Sequence, residues 1–287
     1  MYVRLLLGLA ASVLLLTGCA SEEPRPSMPK AGAVYDGPLD LRVDYADDAT
    51  VAERAGSAGR ALECTGKAYD GGGADNESSG ATVKSNAADA MQDHLKNINP
   101  RQSGLAETGY VIERADPDRV LYSYDVEGRT KIAFVVANDI TDIGGATGWG
   151  IESWAQCDPS ELAPEIADSG PLDVWTDPAG NRVPVTTIAS HRGAEHCGWE
   201  DITFVTLGDY AKDISYWRDT TGELADSLRT TYDGSSRLPA GATNTTYRYG
   251  GRELWLSPKR DAAYSVNLDD VDDVERWPAA KEPIWCM

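Results

Sequence analysis

His191-x4-His196-Cys197 puts two imidazoles and a thiol within seven residues, a grouping able to start a zinc site. One short loop offers three ligands at most, whereas a closed structural site takes four, so no metal centre is expected from it. A redox or nucleophilic thiol is not expected either. The chain has no C-x-x-C, and the adjacent His196 and Cys197 would point to opposite faces of a strand. Asp269–Glu275 (DDVDDVE) gathers five carboxylates in seven residues. Calcium favours clustered oxygens, but EF-hand spacing with its central Gly and terminal Glu is absent, and a solvated acidic turn is the expected use. Trp149, Trp154, Trp175, Trp199, Trp217, Trp255, Trp277 and Trp285 invite a carbohydrate platform, yet most sit in strand-like patterns where packing is the usual role. Ser27-x-x-Lys30 matches an S-x-x-K nucleophile pattern but lies among prolines, without SDN or KTG partners. No G-x-S-x-G, H-E-x-x-H, P-loop or G-x-G-x-x-G after a strand occurs. Carboxylates are numerous enough for a glycosidase acid pair, though no spacing singles one out. No catalytic residue, cofactor or metal ligand is assigned.

The N-terminus carries a more specific signal. Arg4 precedes an apolar run from Leu5 to Leu16. Twelve helical residues rise about 18 Å, short of a roughly 30 Å hydrocarbon core, so a cleavable export signal is expected rather than a span. The run ends in Leu16-Thr17-Gly18-Cys19, which resembles the bacterial lipoprotein lipobox. The resemblance implies that residues 1–18 are a signal peptide cut before Cys19. Its thiol would carry diacylglycerol, and its new amine would be open to acylation. Two or more acyl chains anchor stably where one is marginal. Glu22 and Glu23 gain nothing from anionic lipid, so any anchor here is covalent. Residues 19–38 then read as a Pro-rich extended tether.

Export sets the expectation for the other cysteines. Cys64, Cys157, Cys197 and Cys286 form an even set, and thiols outside the cytoplasm oxidise, so two disulfides are expected. Chain order suggests Cys64–Cys157 and Cys197–Cys286, each closing a loop of about 90 residues. Crossed pairings are the alternatives.

These residues need a frame, and the pattern supplies an α+β one. Ala49–Leu62 is helix-compatible but weakened by glycine. Gly71–Gly80 reads as an exposed loop. Asn86–Ile98 reads as a capped helix with Ala90, Met91, Leu95 and Ile98 as its apolar stripe. Alternation marks strands at 109–114, 119–127, 131–137 and 148–156. The expectation for 39–157 is an antiparallel sheet with one helix-covered face, similar at fold level to cystatin-like or NTF2-like proteins, a likeness that licenses no function. Residues 158–198, with five prolines, read as a connecting segment. Residues 199–287 read as a second, β-rich meander module with a Gly250-Gly251 hairpin.

The stretch His196–Phe204, Trp217-Arg218-Asp219, Arg252–Leu256 followed by Ala263-Tyr264, and Glu275-Arg276-Trp277-Pro278 resemble actinobacterial cell-envelope lipoproteins of unknown function. That resemblance implies location and fold and adds no catalytic residue. A net charge of −20, from 26 basic and 46 acidic side chains, argues against nucleic acid as partner. The resulting expectation is a lipoprotein on the outer face of the cytoplasmic membrane. It would be held in membrane lipid through acylated Cys19 and would bind or scaffold an envelope protein or glycan. An envelope hydrolase or a metal-binding lipoprotein are the alternatives.

Overall fold

A computed structural model describes residues 34–74, 82–99, 103–208 and 214–284. It contains three antiparallel sheets with few helices, in agreement with the α+β, mainly sheet architecture read from the sequence.

The first sheet has five strands, β1 (Ala68–Gly73), β2 (Val111–Ala115), β3 (Arg119–Val126), β4 (Arg129–Thr141) and β5 (Thr147–Cys157), in the order β1-β5-β4-β3-β2. Helices cover both faces, not one as expected. On one face Ile132, Phe134 and Val136 meet α3 (Ala87–Asn97) through Ala90 and Met91. On the other, Leu121, Ala133, Val135 and Ala155 meet Ala55, Ala58 and Ala61, around α1 (Val51–Arg54) and α2 (Gly56–Ala61). The physical reason lies in β4, where Ile132–Ala137 is apolar at every position and therefore buries both faces. Small side chains on the second face let a glycine- and alanine-rich helix sit close.

Asn86 caps α3 as read, its side chain accepting the Asp89 N–H. The stretch 49–62 forms two short helices because the chain breaks at Gly56, whose φ is +53°. A Cβ there would stand 2.3 Å from the Leu41 carbonyl oxygen. Gly71–Gly73 corrects the loop expectation at that point. These residues pair with Ala155, Trp154 and Ser153 as an edge strand. A Cβ on Gly71 would meet the Trp154 carbonyl oxygen at 2.6 Å, so glycine permits the close backbone approach. The end of the expected tether is also docked. Tyr35 N–H donates to Glu113 Oε1 at 2.8 Å, Arg114 donates to the Gly37 carbonyl, Ser57 Oγ donates to the Pro38 carbonyl, and Leu39 is buried.

The other two sheets have four strands each. One orders β6 (Asp173–Val174), β7 (Ile188–Arg192), β8 (Thr203–Leu207) and β9 (Ser215–Arg218) in sequence. The other orders β10 (Thr243–Tyr249), β11 (Arg252–Leu256), β12 (Ala262–Asn267) and β13 (Val274–Pro278). They pack face to face over Ile188, Val205, Tyr216, Leu254, Ala263 and Trp277. Single bridges tie the sheets at both edges, Thr176 to Arg248 and Tyr216 to Ala279.

Residues 158–198 are not a connector. They supply β6 and β7, a 3-10 turn at Pro159–Glu161 and α4 (Pro164–Ala167). Their prolines misled because Pro159 and Pro164 start helical turns, where a missing N–H costs nothing. Leu162, Ile166, Val174 and Val185 from this stretch share one core with Phe134 and Tyr122. The seam between the modules is thus an apolar joint.

Candidate functional site

A cavity of about 150 Å³ opens at that seam. Tyr69 and Asp70 come from edge strand β1, Gln156 from the end of β5, and Ser103 from the approach to β2. Pro159, Pro171 and Leu172 provide apolar wall. The volume matches a cavity that elsewhere takes one benzene ring.

Gln156 is the unusual group. It is 2% exposed and faces Ile132 and Asp70 across the ladder. Its Oε1 is buried without a hydrogen-bond partner. Leaving such a group unmade costs about 1–3 kcal/mol, so a polar occupant of the cavity would recover that cost. Asp70 Oδ1 accepts the Gly71 N–H at 2.8 Å. Behind the cavity Asp158 is buried and accepts from the Ser160 N–H at 2.9 Å and the Val185 N–H at 3.1 Å. Burial first, then the charges of Asp70 and Asp158, push the Tyr69 phenol above its usual range, so it stays protonated as both donor and acceptor. Among the described residues no Lys, Arg or His lines the cavity.

The cavity is braced on one side. Cys64 and Cys157 are disulfide-bonded, with Cα atoms 5.4 Å apart, directly beside Gln156 in β5. Lys131 Nζ joins that turn to the 3-10 segment, donating to the Glu63 carbonyl at 2.8 Å and to Glu161 Oε2 at 2.7 Å. Glu161 also accepts from the Thr65 and Gly66 N–H groups. Burial pushes the Glu161 carboxyl up, but Lys131 and those two amides together hold it below the ordinary carboxylate range.

The residues singled out by sequence fall elsewhere. Cys197 is disulfide-bonded, to neither Cys64 nor Cys157. Cys19, Cys286, Trp285, Ser27 and Lys30 lie outside the described residues. His191 packs its ring on Phe204 at 3.7 Å, and burial lowers its pKa. Among the described residues no three His, Cys, Asp or Glu side chains converge as metal ligands. In the acidic turn Asp269, Asp270 and Asp272 are exposed, while Asp273 pairs with Arg252 at 2.9 Å and Glu275 with Arg218 at 3.0 Å. Seven tryptophans are buried or half-buried in the described residues, so none of these offers an open platform. Glu113 and Asp125 share the Thr130 hydroxyl, at 3.2 and 3.3 Å, but neither lines the seam cavity.

Sequence reasoning missed Tyr69, Asp70, Ser103 and Gln156. One signal was readable: Gln156 follows Trp154 at strand period two, which puts an amide on a core-facing position. Compared with protein-family models, curated proteins and solved structures, the chain matches none.

Proposed function

We propose that this chain is a lipid-anchored binding protein of the cell envelope, held on the outer face of the cytoplasmic membrane through diacylated Cys19. The observation that carries the reading is the Cys64–Cys157 disulfide behind a lipobox-like leader, since such bonds persist in oxidising compartments. The second disulfide of the proposal joins Cys197 to Cys286. No helix among the described residues is long and apolar enough to cross a membrane, which is compatible with attachment through lipid.

Docking of residues 35–41 over Glu113 and Ser57 supports a defined exit point for the tether. A binding role is preferred to hydrolysis because, among the described residues, Asp70 is the one carboxylate lining the seam cavity, whereas glycoside hydrolysis uses two.

The test is membrane partition. Native protein should fractionate with membranes, incorporate labelled fatty acid and resist high-salt extraction. Cys19→Ala should lose the label and leave the membrane fraction on salt washing. Unlabelled wild-type protein that washes off would contradict the anchor.

A further inference from the structure

We propose that the seam cavity binds a small organic ammonium group, its nitrogen held by Gln156 and Asp70 and its carbon skeleton by the proline and leucine wall. This rests on the binding reading above but not on the lipid anchor.

The polar lining is rich in acceptors. Gln156 contributes an unpartnered buried oxygen, Asp70 a carboxylate with one backbone donor, Tyr69 a hydroxyl, and Ser103 Oγ the lone pair left beside the Leu105 N–H it accepts at 3.2 Å. An alkylammonium brings three donors and a charge, and so answers both needs at once. The sign of the site selects further. Asp70 lines it and the charge of Asp158 acts on Tyr69, with no cationic side chain among the described residues of the lining. The chain carries a net charge of −20, which raises the local concentration of cations and repels anions. A neutral polyol would satisfy the hydroxyls and amide but leave the Asp70 charge uncompensated. Size sets the third constraint: about 150 Å³ admits one six-membered ring or an equivalent chain, not a longer polymer segment. Pro159, Pro171 and Leu172 give that carbon an apolar surface. The nearby Cys64–Cys157 bond holds the end of β5, which favours a preformed site.

Two sources carry this chemistry, an amino sugar and a lysine-like side chain, and the probes separate them. The full-length protein in detergent is titrated calorimetrically with cyclohexylammonium, glucosamine and Nα-acetyl-lysine amide, and with neutral cyclohexanol and glucose. Saturable binding of cyclohexylammonium is expected, with cyclohexanol at least about tenfold weaker, as for loss of a charged hydrogen bond. Glucosamine binding above lysine amide assigns the amino-sugar source, and the reverse assigns the side-chain source. Asp70→Asn, a rim substitution, should weaken binding about tenfold, and Gln156→Leu by a similar factor. If Gln156→Leu fails to fold, the Asp70→Asn comparison decides. Equal affinity for cyclohexanol, indifference to Asp70→Asn, or no heat from any ammonium probe at millimolar concentration would overturn the proposal and leave the cavity a water site. None of these results bears on whether Cys19 is acylated.

Discussion

Single residues in this protein matter most where a charge or amide is buried beside the cavity. Lys131 and Glu161 are 6% and 13% exposed along their side chains and meet at 2.7 Å. Breaking such a pair by removing one partner costs about 3 kcal/mol or more, because the other charge stays buried. Lys131→Ala should therefore lower the denaturant midpoint strongly, whereas Lys131→Met combined with Glu161→Leu should recover most of the loss. Equal destabilisation by the single and double variants would show that packing, not charge, governs the joint. Histidine gives the pH dependence. Burial lowers the pKa of both His94 and His191 below the ordinary imidazole value. Below about pH 6.5 the unfolded chain then binds more protons than the folded one, so stability falls as pH drops through and below that value. Thermal melts should show this decline between about pH 7 and 5, and His94→Leu, at the Phe134 contact, should flatten it. A slope unchanged by that substitution would place the titrating group elsewhere.

At the scale of elements, local signals and tertiary context divided the work. The α3 cap was readable because Asn86 needs only its own helix, and Asn86→Ala should cost about 1 kcal/mol by chemical denaturation. Gly56 is different: its positive φ and the Leu41 carbonyl make Gly56→Ala strained, with an expected loss of at least about 2 kcal/mol. A neutral Gly56→Ala would mean that α2 does not seat against the first sheet as described. The strands from β2 to β5 were legible from alternation, and the Gly250-Gly251 hairpin from its turn residues. What could not be read was long-range. Glycines in β1 look like a loop until Trp154 lies across them, and prolines in 158–198 look like a linker until Val174 and Val185 reach the Phe134 core. The cavity was illegible for the same reason. Tyr69, Ser103 and Gln156 stand far apart in sequence and meet only because β1 closes onto β5 and the seam folds over both.

For the whole molecule, oxidation and anchoring are two parts of one account. The Cys64–Cys157 bond spans 93 residues of sequence, and the chain-entropy model gives about 4–5 kcal/mol for loops of that length. Reduction should lower the melting temperature clearly and reduce the affinity of the adjacent cavity for cyclohexylammonium. The central claim is more direct than either effect. Intact-mass spectrometry of protein purified from its native membrane should find residues 1–18 absent, a diacylglyceryl modification on Cys19 and the four remaining cysteines unreactive to alkylation without reductant. A retained leader, an unmodified Cys19, or four alkylated thiols would contradict it.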